Sequence, residues 1–204
     1  MLNEIDIVGY KDSKIFLNAQ NVLVVECKKQ SDPWIFFNQK EKNPRIFTLN
    51  VNFAGFYDGY VDYSKDNESI FKKHFYHNRE CCTYFLVGGK HSEKGGPGAT
   101  IDRAIYQAHN AVKFYLKQGR NEYPIFYYPI IVFDGEIFEA SYRVESLEIK
   151  KSNHVNLYFE EEYNEPQYLE TVKSYVLLTS KPYLIDIVKL CYFEKFLEKI
   201  ENKI

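Results

Sequence analysis

Val22-Leu23-Val24-Val25 is apolar on both faces of any strand it forms, and it runs directly into Glu26-Cys27-Lys28. Alternate side chains of a strand share a face, so Val22, Val24, Glu26 and Lys28 project one way, and Leu23, Val25 and Cys27 the other. A strand apolar on both faces belongs inside a sheet that is covered on both sides. The chain is therefore expected to be an α/β domain with a central sheet flanked by helices. A carboxylate and an amine that end such a strand side by side need a reason to be there. Asp6 lies in the preceding apolar segment, Glu4 to Tyr10, sharing a face with Glu4 and Val8. Pairing of that segment with Asn21 to Lys28 brings Asp6 beside Glu26.

The polar stretch Lys11-Asp12-Ser13-Lys14 connects these two strands, with Ile15 to Leu17 extending either arm. Trp34 to Phe37, after Pro33, reads as a strand start or a strap across the sheet. Residues 38–98 read as an insertion of loop and short strands, with modest helical character from Asn67 to His77 and a buried strand at Thr83 to Val87. Gly88 to Gly98 is expected to be an irregular loop, because its glycines and Pro97 oppose regular structure. The best helix spans about Thr100 to Lys117, where Ile101, Ala104, Ile105, Ala108, Ala111, Val112, Tyr115 and Leu116 recur at helical spacing before Gly119. Ile125 to Phe133 reads as a buried strand, Asp134-Gly135 as a tight hairpin turn, and Glu136 to Ala140 as the returning strand. Val155 to Phe159, Tyr175 to Thr179 and Tyr183 to Val188 follow as strands. A helix from Cys191 to Glu201, patterned on Phe193, Phe196, Leu197 and Ile200, closes the chain.

A length of 204 residues suits a single domain, divided into the 1–37 hairpin region, the 38–98 insertion and a 99–204 remainder. No apolar run approaches the roughly 20 residues that span a bilayer, and Met1 to Ile7 lacks the basic start of a secretory signal. Four cysteines in a chain this long make no disulfide framework. A cytoplasmic setting is the expectation. The net charge of −2 means that any nucleic-acid binding must come from local clusters such as Lys28-Lys29, Lys40 with Lys42 and Arg45, Lys72-Lys73, or Lys90 with Lys94. Each cluster taken alone reads more simply as solvated surface. The 18 tyrosines and 16 phenylalanines fill a core more readily than they stack on bases.

Two carboxylates and a lysine meeting at a strand end suit phosphodiester hydrolysis. Mg²⁺ needs only one or two protein carboxylates, with waters and substrate phosphate completing its shell. Asp6 and Glu26 would hold it, the Cys27 backbone carbonyl adding a ligand, while Lys28 orients the attacking water or neutralises phosphate charge. Glu4-Ile5-Asp6-Ile7-Val8-Gly9 followed by Val22-Leu23-Val24-Val25-Glu26-Cys27-Lys28 resembles the D…ExK hairpin of the PD-(D/E)xK, or restriction-endonuclease-like, nuclease superfamily. Pro33 to Phe37 and Pro129 to Gly135 are similar to segments of its bacterial members. The resemblance implies a restriction-endonuclease-like core with additional C-terminal strands and helix, Mg²⁺ or Mn²⁺ dependence, and cleavage of DNA. It names Asp6 and Glu26 as metal ligands and Lys28 as the catalytic lysine. Two departures accompany it: Ile5 stands where the nominal Pro would be, and the family's first helix and strand do not precede Asp6. An omitted segment, a homodimer or a partner subunit is then expected to cover the hairpin.

Rival readings attach to each feature. Glu26 and Lys28 can be a same-face ion pair with Asp6 a turn acid, leaving an inactive nucleic-acid-binding or structural module of the same fold. A hydrolase of small phosphoesters would use the same chemistry without a basic groove. His74, His77, Cys81 and Cys82 are close in sequence, but adjacent cysteines point apart on a strand, so the cysteines read as core rather than zinc ligands. Gly88-Gly89-Lys90-His91-Ser92 lacks the Gly-Lys-Ser/Thr order of a phosphate loop, although backbone N–H groups at the following helix start suit a DNA phosphate. Gln107, at the edge of the long helix's apolar stripe, is added to the catalytic candidates.

Overall fold

The computed structural model of this chain describes residues 6–12, 20–38, 50–52, 81–87, 97–118, 125–143, 146–170 and 175–201. Its strands are β1 (Ile7–Asp12), β2 (Gln20–Lys29), β3 (Trp34–Asn38), β4 (Asn50–Asn52), β5 (Cys82–Val87), β6 (Ile125–Asp134), β7 (Ile137–Arg143), β8 (Ser146–Ser152), β9 (His154–Glu170) and β10 (Tyr175–Lys189). Helix α1 spans Pro97–Gln118, and α2 spans Phe193–Glu201 after a 3₁₀ turn at Leu190–Tyr192. The mixed sheet runs β1-β2-β6-β10-β9, with β4 also on β6. It continues through one bridge, Cys82↔Leu157, into β5-β3-β7-β8.

β2 sits where its composition demands, between antiparallel β1 and parallel β6. On one face Val22 and Val24 pack with Ala111 and Val112 of α1. On the other Val25 joins Phe126, Tyr128, Val132 and the α2 residues Phe196 and Ile200. One helix therefore covers each face of the five-stranded part. α1 also caps the junction with the second part, burying Ile101, Ala104, Ile105 and Ala108 against Trp34, Phe36, Ile131, Phe133 and Ile185. Trp34 stacks on Phe133 with centroids 3.7 Å apart. Fully burying side chains of this kind contributes roughly 1.5–3 kcal/mol each, enough for two such layers to fix the sheet between the helices.

Pro129 lies within β6, where a missing backbone N–H would normally break the ladder. The Asp134 carbonyl turns toward β2, accepting Gln30 N–H at 3.4 Å, so residues 133, 131 and 129 address the other flank. On that flank the β4 pairing reaches Tyr127 and the β10 pairing starts at Ile130. Pro129 thus lies between these two described pairings, at a position whose missing N–H neither of them uses.

Several expectations need correction. Asp134-Gly135 makes a tight turn but not a hairpin: β7 does not pair with β6, because β2 and β10 already occupy both of its flanks there. β7 instead runs parallel to β3 and antiparallel to β8. Gly135 is required by close approach, since a Cβ would stand 2.7 Å from the Gln30 carbonyl oxygen. Of the two readings of Trp34 to Phe37, the strand holds and the strap does not: Trp34–Asn38 is a strand of the second part, between β5 and β7. Pro97 opens α1 instead of belonging to a loop, as a first helical residue that needs no N–H partner. Tyr175 to Thr179 and Tyr183 to Val188 are one strand, and β9 extends far beyond Phe159 to pair with it. β8 was not anticipated; six of its seven residues are exposed and give no burial alternation. Glu139 ties β3, β7 and β8 together, accepting hydrogen bonds from Asn38 Nδ2 at 2.8 Å and Ser152 Oγ at 2.5 Å. Burial pushes its carboxyl up, and these bonds, with Lys150, outweigh that and hold it below the usual range. The helical expectation for Asn67 to His77 lies outside the described residues. No helix among the described residues is long and apolar enough to cross a membrane.

Candidate active site

The β1–β2 register pairs Ile7 with Val25, so the next step along both strands sets Asp6 against Glu26. Asp6 is exposed, and its Oδ2 accepts the Cys27 backbone N–H at 2.5 Å. A strand residue's N–H and C=O leave on the same side, so the Cys27 carbonyl also faces the Asp6 side and not β6. The Cys27 thiol is a separate matter: it is exposed on the opposite face, and burial of its surroundings followed by the Asp6 and Glu26 charges pushes its pKa up. It is no thiolate ligand.

Glu26 is 2% exposed. Its Oε1 receives the Lys28 ammonium, while Oε2 is buried with no hydrogen-bond partner among the described residues. Desolvation is the largest influence on this carboxyl and raises its pKa; Lys28 pulls it down, the Asp6 charge adds to the rise, and Arg103 lowers it. The net direction is upward, burial outweighing the Lys28 ammonium. Lys28 is partly accessible, with 19% of its side chain exposed.

α1 supplies the roof. It runs antiparallel to β2, since Ala111 and Val112 pack at Val22 and Val24 while Arg103 acts on Glu26. Arg103, Gln107 and Ala111 are spaced at i, i+4, i+8 and so share one stripe of the helix. Gln107 is half-buried on that stripe, and its Oε1 is a second buried acceptor without a partner. Glu26 Oε2 and Gln107 Oε1 are thus each a buried acceptor that a cation or a proton would satisfy, and the exposed Asp6 carboxylate stands opposite Glu26. Unanswered buried polar groups of this kind cost about 1–3 kcal/mol each.

Asp6, Glu26 and Lys28 are brought together as the sequence predicts, and Gln107 lies on the helix that covers them. Among the described residues no three His, Cys, Asp or Glu side chains cluster as a ready metal cage. Cys81 and Cys82 are buried in the core, Cys82 donating to Asn38 Oδ1 at 2.9 Å. His74, His77 and the Gly88 to Ser92 segment lie outside the described residues. Arg103 was not anticipated; its i−4 spacing from Gln107 was the available signal. Also unanticipated is a buried polar group on the α2 face, where Asp186 accepts from Asn156 Nδ2 at 3.1 Å and meets His154 Nε2 at 2.6 Å. The signal there was polar alternation, His154 and Asn156 flanking Val155, and Asp186 between Ile185 and Ile187. No family model, curated protein or solved structure matches this chain.

Proposed function

We propose that this chain is a metal-dependent nuclease that hydrolyses phosphodiester bonds of DNA on a restriction-endonuclease-like core. The observation that carries the reading is the buried, unpartnered Glu26 Oε2 beside the Asp6 carboxylate, with Lys28 on the same face. Asp6, Glu26 and the Cys27 carbonyl fit Mg²⁺ or Mn²⁺, being hard oxygen donors of which two are charged. A metal held there supplies polarisation of a phosphate oxygen and a water of lowered pKa. Glu26 must be ionised to serve, and Lys28 and Arg103 are the charges that favour that form. Lys28, accessible at its tip, would orient the attacking water and offset charge gathering on the phosphate. Gln107 would position the water or phosphate from above. DNA would approach from the Asp6 side, since Asp6 is the exposed carboxylate of the pair. A second subunit along β1 belongs to the same proposal, because Ile7 and Tyr10 on that edge strand are 52% and 62% exposed.

A second reading, a non-catalytic module of the same fold, is supported by the Asp6 to Cys27 N–H bond, which closes a strand end without requiring chemistry. Cleavage of single- and double-stranded DNA in Mg²⁺, Mn²⁺ and chelator separates the two. The nuclease reading expects metal-dependent cleavage that Asp6→Asn removes. Absence of cleavage by a folded, metal-saturated protein on both substrates returns the site to a structural role.

A further inference from the structure

On the face of the sheet opposite Glu26, a cleft of about 370 Å³ opens between the β1–β2 hairpin and α2. That volume falls in the range of roughly 300–1,000 Å³ typical of small-molecule sites. Leu23 from β2 and Leu197 and Ile200 from α2 give it an apolar lining, and Gly9 leaves it room: a Cβ there would meet only Leu23 Cβ, at 3.8 Å. Asn21 also lines the cleft, and it is 1% exposed. Neither its Oδ1 nor its Nδ2 has a hydrogen-bond partner among the described residues. An amide buried in apolar surroundings with both its donor and its acceptor unanswered is costly to the fold. Lys11 pairs across from Asn21 and on the same face, and its ammonium meets Glu201 of α2, so this ion pair ties the hairpin to α2 at the Asn21 position of the cleft. Both partners are near half-exposed, and such surface pairs open at little cost.

We infer that this cleft binds a free, flat, uncharged heterocycle that presents a hydrogen-bond donor beside an acceptor, as a purine base does, with Asn21 answering both. An asparagine amide matches such an edge in a bidentate pair, and the apolar walls take the ring faces. The rim fixes the charge of the ligand. Among the described lining residues, Glu194, Glu198 and Glu201 set three carboxylates against the Lys11 ammonium, which disfavours any ligand carrying phosphate. The site is therefore separate from the proposed nuclease centre and does not depend on it.

Adenine is the probe, followed through the Asn21 side-chain amide signals of the ¹⁵N-labelled chain. The inference expects saturable shifts of those signals and of the Gly9 and Leu23 backbone amides, with adenosine monophosphate binding at least tenfold more weakly than adenine. Asn21→Leu should abolish the response while melting no lower than wild type, because it removes an unpartnered amide. Gly9→Val, which fills the cleft without a backbone clash, should abolish it independently if Asn21→Leu does not fold. Asn21 signals that stay fixed to the solubility limit of adenine would overturn the inference, leaving the amide to water alone. So would undiminished adenine binding in the folded Gly9→Val chain.

Discussion

Glu26→Gln isolates the charge at the centre of the proposed site. The substitution keeps the shape, keeps an acceptor for Lys28 and leaves a polar group at the unpartnered position, so only ionisation is lost. Burial raises the Glu26 carboxyl above its ordinary 4.5, which means that the folded chain holds this proton more tightly than the unfolded one. The stability contributed by that proton is complete below about 4.5 and is lost as pH rises through the raised value. Glutamine has no such loss. In the absence of metal the variant should match wild type near pH 4 and become more stable at neutral pH. A buried charged oxygen without a partner costs on the order of 1–3 kcal/mol, and Lys28 offsets part of it, so a gain of about 1 kcal/mol is expected. For a chain of this size that is about 2–4 °C in melting temperature. Thermal melts across this pH range in chelator measure it. Saturating Mg²⁺ or Mn²⁺ should then reverse the order, since a ligand at about 100 times its Kd adds roughly 2.7 kcal/mol to the native state that binds it. Greater stability of wild type at neutral pH without metal, or a difference that ignores pH, would refute the reasoning.

Lys28→Met should abolish cleavage and, at neutral pH, destabilise by about 3–5 kcal/mol, because it leaves Glu26 as an uncompensated buried charge; the loss should shrink as pH falls toward 4.5, as read by chemical denaturation. Gly135→Ala should cost about 1–3 kcal/mol in the same assay, through the clash with the Gln30 carbonyl at the turn between β6 and β7. Phe196→Ala should cost about 3–5 kcal/mol and raise hydrogen exchange in α2, since Phe196 is fully buried and its ring packs 4.8 Å from that of His154. Removing the Arg103 charge with Arg103→Met should raise the Glu26 pKa further, which an NMR pH titration of the Glu26 carboxyl in chelator would detect as an upward shift against wild type.

What could be read from the sequence was what local pattern dictates. β2 was legible because Val22 to Val25 is apolar on both faces, and α1 because its eight apolar positions keep helical spacing. The meeting of Asp6 with Glu26 followed from the pairing of β1 with β2. Strand neighbours beyond that depend on contacts distant in sequence, and there the pattern misled. Asp134-Gly135 has the composition of a hairpin turn, yet β6 was already flanked by β2 and β10. The long β9–β10 ribbon carries Glu160 to Glu162, Pro166 and Pro182, residues that favour loops, and its pairing overrides them. β8, exposed on both faces, offers no alternation to find. The burial of Asn21 and the orphaned oxygens of Glu26 and Gln107 have no sequence signature, because they arise from which helix lies over which strand.

The most direct test of the central claim is anomalous diffraction from crystals of the wild-type chain soaked in Mn²⁺. The account predicts a peak between the Asp6 and Glu26 carboxylates and the Cys27 carbonyl, with ligand oxygens at about 2.0–2.2 Å, and no such peak in Glu26→Gln crystals treated alike. Ordered Mn²⁺ elsewhere in the same crystals, with none between Asp6 and Glu26, would contradict it.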